Sequence, residues 1–376
     1  MPERCRCWDN GNLAGVYISF PFCSQKCTFC NFASGVFSRG LEERYLRALR
    51  AEAARFAWKW LPETVYLGGG TPSRLSGDDL AELLALVPGR PWREATIEAA
   101  PGSITPEKAR AWAAAGVNRV SLGVQSFVSA ELAGTGRKHT AEVVAREVGI
   151  LRDAGIENFN IDLIAGLPGQ TPASWRESLE WLQRLAAPHV SVYMLEVDED
   201  SRLGAEILKG GARYGAARVP AEDEIVELYE IAVDRLEAMG VSQYEISNFA
   251  RPGRRSLHNL KYWKLEPYAG FGADAHSFDG AVRRQNAETP EEYVERMERG
   301  EAPCIAETPA RLAEEKFILG LRLREGIRPS PEEWLTFAAP IARLTEAGLL
   351  ETADGALRLT RRGILLSNEV FQDFIS

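Results

Sequence analysis

The sequence predicts an α/β fold built on a parallel sheet. Three observations carry that expectation. From about residue 14 to residue 240, short β-rich runs alternate with longer helical patterns. The strand–helix unit recurs six times, at a spacing of roughly 35–40 residues. Helix starts and stops are marked by capping residues, proline and glycine. Such repeats imply parallel strands joined by right-handed crossovers. Either an open doubly wound sheet or a barrel, full or partial, satisfies them.

The elements follow in order. Residues 15–20 form the first β-rich run, and residues 42–59 the first helical pattern. Residues 64–67 and 78–86 make the second pair, and residues 95–99 and 106–115 the third. The third helix is the best marked: Thr105 reads as its N-cap, Pro106 as its first residue and Gly116 as its stop. Residues 119–124 precede a helix at 141–154 that Gly155 ends, and residues 159–164 precede a helix at 174–185. The sixth pair is 190–195 and 223–239. Polar residues or glycines sit at the C-terminal end of each strand, where the active-site face of barrels and open α/β sheets lies.

Beyond residue 240 the alternation fades, and residues 241–305 are rich in Tyr, Trp, His, Asn and Gly. A helical region begins at about 306. Within it, residues 349–359 read as a hairpin around Asp354-Gly355, set between helices at 338–347 and 361–374. Four segments result: a tail at 1–13, a core at 14–240, an extension at 241–305 and a winged-helix-like module at 306–376. That last shape often binds DNA. The net charge of −9 argues instead for a packing or lid role and against a nucleic-acid partner. No apolar run approaches the ~20 residues of a membrane span. Residues 1–12 lack the apolar core of an export signal, so the chain reads as cytoplasmic.

Six cysteines occur: Cys5, Cys7, Cys23, Cys27, Cys30 and Cys304. Three form a C-x3-C-x2-C run on the loop after the first strand, and in a reducing compartment such a run reads as metal-binding or catalytic. Three thiolates on one short loop can hold three corners of a [4Fe–4S] cube, leaving one iron without a protein ligand. Zinc would need a fourth ligand, and the sequence offers no second Cys or His pair of suitable spacing. Three inert buried thiols fit poorly with a polar loop.

The run from Tyr17 through Cys23, Cys27, Phe29 and Cys30, placed after the first strand of a six-fold α/β repeat, resembles the radical SAM superfamily. Later motifs are similar to the oxygen-independent coproporphyrinogen III oxidase family, and most to its heme-chaperone, HemW, branch. They are Gly68-Gly69-Gly70-Thr71-Pro72, Ile97-Glu98, the Ser121–Phe127 run with Gln125, Gly136-Arg137-Lys138-His139, and the Asp162–Thr171 run. Tyr244–Phe249, the HNxxYW segment from His258 to Trp263, and the C-terminal module extend the resemblance over nearly the whole chain.

The resemblance implies a partial (β/α)6 TIM-like radical SAM barrel. Cys23, Cys27 and Cys30 would hold the cluster, whose open iron would take the amino and carboxylate groups of S-adenosylmethionine. Gly69, Gly70 and Thr71 would receive the amino group of that cofactor, and Glu98, Gln125, Arg137 and Asp162 would contact the rest. Tyr17 and Phe29 would lie beside it. Of the four histidines, His189 reads as structural and His139 sits in a turn. His258 and His276 are the candidate heme ligands, His258 because the chaperone branch associates the HNxxYW segment with heme.

Two functions compete. One is a heme chaperone using a [4Fe–4S] cluster and S-adenosylmethionine to deliver heme to a respiratory or other hemoprotein, membrane-associated enzymes included. The other is the oxidase itself, which decarboxylates two propionates of coproporphyrinogen III by radical chemistry. Oxidases of the family carry a fourth cysteine two residues after the third, where this chain has Phe32, and a longer segment before the cluster loop than the 22 residues here. Both features, with the HNxxYW segment, favour the chaperone. A heme-degrading radical enzyme is a third alternative.

Overall fold

The computed structural model describes residues 14–375; Cys5 and Cys7 lie outside them. The six expected strand–helix pairs are present. They are β1 (Ala14–Phe20) with α1 (Arg39–Arg55), β2 (Pro62–Gly69) with α2 (Gly77–Ala85), and β3 (Glu94–Ala99) with α3 (Pro106–Ala114). Next come β4 (Arg119–Gln125), followed by α4 (Ser129–Thr135) and α5 (Ala141–Asp153), and β5 (Asn158–Ala165) with α6 (Pro172–Arg184). β6 (His189–Met194) is followed by α7 (Arg202–Leu208) and α8 (Glu222–Ala238). Thr105 caps α3 through its side chain, with Pro106 behind it as expected. Gly116 and Gly155 follow their helices at positive φ, which glycine adopts without Cβ strain.

Helix α1 ends four residues earlier than its sequence pattern. Phe56 leaves the helix with extended backbone, and its ring packs edge-on against Phe271 at 5.1 Å. Burial of that ring outweighs another helical turn.

The parallel run does not stop at six strands. The 241–305 segment supplies β7 (Ser242–Gln243), β8 (Asn248–Ala250), α9 (Leu257–Trp263), β9 (Tyr268–Phe271), β10 (His276–Phe278), β11 (Val282–Asn286) and α10 (Pro290–Glu298). Strand β12 (Cys304–Pro309) spans the position expected as a boundary at 305/306. β9 lies parallel to β1, and β8 lies antiparallel to β6, so the order is β12-β11-β10-β9-β1-β2-β3-β4-β5-β6-β8-β7. Both ends of the parallel run are capped by antiparallel strands, and among the described residues the sheet does not close on itself. The architecture is a partial barrel.

The two faces of the sheet differ in chemistry. Val65, Leu67, Ile97, Leu122, Ile161 and Val192 are buried under the helices. The other face carries Tyr66, Glu98, Ser121, Asn160, Asp162 and Ser191, aligned across neighbouring strands by pairings such as Glu98 with Ser121 and Asp162 with Ser191. Alternation along each strand thus separates an apolar helix side from a polar interior.

Helix α9 closes the bottom of that interior. Glu94 accepts the backbone N–H groups of Leu257 (2.9 Å) and His258 (3.0 Å) and the Ser256 hydroxyl (3.2 Å). Lys261, 1% exposed, donates to Glu63 (2.6 Å) and Glu266 (2.9 Å).

The C-terminal part comprises α11 (Leu312–Gly320), α12 (Pro331–Thr336), α13 (Ala338–Glu346), the hairpin β13 (Leu350–Ala353) and β14 (Ala356–Leu359), α14 (Arg361–Leu365) and α15 (Ser367–Gln372). The hairpin turns at Asp354 and Gly355, both at positive φ, as a two-residue primed turn requires. The single helix expected over 361–374 is two, broken at Leu366, where the backbone leaves helical values. Phe317, Phe337 and Phe374 form the aromatic core of this part. Backbone contacts from Leu323 to Glu245 and from Arg324 to Tyr244 dock it on the sheet.

Candidate functional site

A cavity of about 1040 Å³ opens at the C-terminal ends of the strands. Its walls come from the loop after β1, the ends of β2 to β6, the 246–248 segment, Arg322, and residues 365–369 of the C-terminal part. All three clustered cysteines line it, together with Phe29, Gly69, Gly70, Thr71, Glu98, Gln125, Arg137 and Asp162. Residues spread over 140 positions of sequence are therefore one site.

The cysteine loop is seated by its backbone. Cys23 N–H donates to Gly35 O (2.8 Å), Gly35 N–H to Pro21 O (2.9 Å), and Thr71 N–H to Phe22 O (3.0 Å). Thr28 ties the loop's far side to the last turn of α4, donating to Thr135 O and Gly134 O. Gly70 is required where it stands: a Cβ there would lie 2.6 Å from the carbonyl carbon of Pro21. The close pass brings the Thr71 hydroxyl to 3.5 Å from Cys23 Sγ.

The three thiols are free and partly exposed. Burial raises the Cys23 pKa, hydrogen bonds from Thr71 and Ser34 oppose it, and Cys30 and Cys27 stand close enough to add to the rise. Among the described residues, no three His, Cys, Asp or Glu side chains converge tightly enough to hold a single metal ion. Three neighbouring thiols on one short loop match the donor set of a [4Fe–4S] cube with one iron left open.

Glu98 and Asp162 face the cavity from adjacent regions of the inner surface. Burial pushes the Glu98 carboxyl up to about 7, and the Asp162 charge adds to the shift; the Tyr66 hydroxyl (2.9 Å) and the Gly69 N–H hold it down. Burial also raises Asp162, which accepts from Asn160 (2.7 Å) and Ser121 (3.4 Å). Arg137 donates to Gly123 O at 2.5 Å, and its Nε–H is buried without a protein partner. Gln125 sits at φ 71°, beyond a bulge in β4 that turns it into the cavity. Strain of this kind in a non-glycine residue recurs at binding sites. Orphaned donors beside two buried carboxylates suit a polar ligand with both hydroxyl and carboxylate groups.

Tyr17 does not line the cavity. It stacks on Tyr66 at 6.2 Å on the inner face of β1. The expected heme histidines are not brought to the site. His258 lies at the opposite end of the barrel, fully buried, with Nδ1 2.9 Å from Thr64 Oγ1 and Nε2 2.7 Å from Tyr262 Oη. Both ring nitrogens are engaged by protein hydroxyls, so the structure does not bring His258 to the cavity. A small polar residue on β2 and a tyrosine one helical turn away satisfy the ring instead. His276 is exposed on β10, outside the cavity. Cys304 is remote from the cluster loop, its Sγ directed to Ala306 O.

Several cavity residues carried no motif in the sequence. Tyr66, Arg119 and Asn160 are inner-face positions that alternation along β2, β4 and β5 would have marked. Arg322 comes from another part of the fold, and no local pattern announces it.

The sequence model described as radical SAM superfamily matches residues 17–182, and that described as HemN C-terminal domain matches residues 308–366. Heme chaperone HemW of Bacillus subtilis is 34% identical over 381 aligned positions, covering 96% of this chain and 99% of that protein. Heme chaperone HemW of Lactococcus lactis is also 34% identical, covering 96% and 97%. A mouse protein, radical S-adenosyl methionine domain-containing protein 1, mitochondrial, is 32% identical, covering 95% and 84%. Among solved structures, coproporphyrinogen III oxidase (HemN) of Escherichia coli superposes with a TM-score of 0.83 at 22% identity, covering 96% of this chain and 90% of that one. That last likeness concerns the fold.

Proposed function

This chain belongs to the HemW heme chaperone family of radical SAM proteins, and from that premise we propose that it binds heme beside a [4Fe–4S] cluster and S-adenosylmethionine and passes the heme to an acceptor hemoprotein. One observation carries the reading: the three free cysteines and the polar strand ends line a single cavity of about 1040 Å³. Single small-molecule sites occupy roughly 300–1,000 Å³, so this one has room for a second ligand.

Cys23, Cys27 and Cys30 would hold the cluster, and Thr71 would steady the Cys23 thiolate through its hydroxyl. Bound there, a cluster with one open iron supplies a docking point for the amino and carboxylate groups of S-adenosylmethionine and a source of single electrons. Glu98 and Asp162 would accept hydrogen bonds from ribose hydroxyls, and Gln125 at the end of β4 and Arg137 beyond α4 would close the site. Phe32, 68% exposed at the cavity mouth, offers an apolar surface to a flat ring and no thiol.

The test is anaerobic. The reconstituted protein is expected to hold four irons per chain and to take up heme, which it yields to an apo-hemoprotein. The triple variant Cys23→Ala/Cys27→Ala/Cys30→Ala is expected to lose the iron. Four irons in that variant would overturn the cluster assignment. Protoporphyrinogen formed from coproporphyrinogen III, S-adenosylmethionine and reductant would replace the chaperone by an oxidase.

A further inference from the structure

Arg322 enters the cavity from the chain just beyond α11 and is placed by fixed contacts on both sides. The backbone of Leu323 bridges to Glu245, and Arg324 N–H donates to Tyr244 O at 3.0 Å. The guanidinium lies over the Trp263 ring, 4.3 Å from its centroid, which sets the plane of the fork. Its Nη2 is 3.6 Å from Glu245 Oε2, an ion pair too long for a hydrogen bond. The Nε–H of Arg322 and Glu245 Oε2 are both buried without hydrogen-bond partners. A guanidinium presents five N–H donors in a rigid fork matched to carboxylate oxygens. This fork is oriented, partly shielded, and under-used by the protein.

Its surroundings differ from those of the other cavity cations. Arg74 pairs with Glu42, Arg137 is tied to Gly123 O, Arg119 reaches Thr96 and Lys26 reaches Phe32 O, while Lys138 also lines the cavity. Arg322 lines the cavity together with Tyr229, Ile246 and Leu365, its own contacts being Trp263 and Glu245. A fork-shaped cation stacked on an indole, in a cavity that also holds Tyr229, Ile246 and Leu365, suits a flat, largely apolar molecule that bears a carboxylate.

We propose that Arg322 is the carboxylate anchor of this cavity, gripping a propionate side chain of the porphyrin. The proposal rests on the reading that heme binds in this cavity. The C-terminal part thereby completes the site and does not merely cover it.

The experiment titrates heme and heme dimethyl ester into the full-length protein and into Arg322→Gln, with iron content and unfolding midpoint measured alongside. Loss of one charge-assisted hydrogen bond pair corresponds to roughly 10- to 100-fold in affinity. The variant is expected to bind heme weaker by that factor while binding the ester as the unaltered protein does. In the unaltered protein alone, the ester is expected to bind weaker than heme by a similar factor, which keeps the proposal testable if the variant does not fold. Equal binding of heme and ester by the unaltered protein, or undiminished heme binding by folded Arg322→Gln, would overturn the anchor. Uptake of neither pigment by the unaltered protein would overturn the heme reading, and the anchor with it.

Discussion

Replacing His258 by alanine is expected to damage the barrel floor and leave heme affinity intact. The imidazole is fully buried, bonded to Thr64 and Tyr262, and stacked on Tyr66 at 5.3 Å. Its removal strands two buried hydroxyls, at roughly 1–3 kcal/mol each. It also opens a void, for which large-to-alanine changes in cores cost about 2–5 kcal/mol. These costs overlap, since water or a shifted tyrosine can meet part of both, so about 3–6 kcal/mol is expected in total. Against a typical stability of about 5–15 kcal/mol, that is a large fraction. Urea unfolding should show the fall in midpoint, and His258→Gln, which keeps one hydrogen-bonding group near each partner, should show less. Heme titration of the folded variants should match the unaltered protein. A variant with an unchanged midpoint and weakened heme binding would refute the reasoning and return His258 to the role of iron ligand.

Two further expectations follow from particular positions. Gly70→Ala drives a Cβ to 2.6 Å from Pro21 C and 2.8 Å from Phe22 N, so it should lower iron content after reconstitution. Gly149→Ala, whose Cβ meets nothing within 4 Å, is the matched control, and equal iron in both would show that the β1–β2 contact does not seat the cluster loop. Acid should destabilise the fold through its buried histidines. Burial pushes His258 down to about 3 and His139 to about 4, and lowers His189 as well. Below pH ~6.5 the unfolded chain binds protons that the native one refuses, so stability falls with pH by up to roughly 1.4 kcal/mol per unit for each such group. Glu52 and Glu98, both pushed up to about 7 by burial, act in the opposite sense. The native chain keeps their protons above pH ~4.5 where the unfolded one releases them, and that contribution is lost as pH rises through about 7. The histidines therefore act unopposed below about pH 4.5, and unfolding midpoints there should be less pH-dependent in His258→Gln. Identical slopes would contradict the burial argument.

How much was legible depends on the range of the interaction. The cysteine loop could be read because its ligand spacing is local, and the glycine and carboxylate motifs because each closes a strand. The HNxxYW segment shows the reverse. Its residues stood out in the sequence, yet Lys261, 1% exposed, pairs with Glu63, and His258 with Thr64. Those partners lie almost 200 positions away in the chain, so no local pattern could say that the segment plugs the barrel. The sheet's extra strands escaped for a similar reason: β9 has only 4 residues and becomes a strand by pairing with β1.

From sequence alone came the α/β class, the order of six strand–helix units, the capping of α3, the hairpin at Asp354-Gly355, and the cysteine trio with its family. All of these rest on short-range chemistry: periodicity, turn geometry and ligand spacing. Only the tertiary structure decided that the sheet of the described residues ends at β12 and β7, that His258 packs in the barrel floor, and that Arg322 reaches the cavity. Each of those depends on which distant segments pack together, and burial is a property of the packed chain, not of any residue's neighbours in sequence.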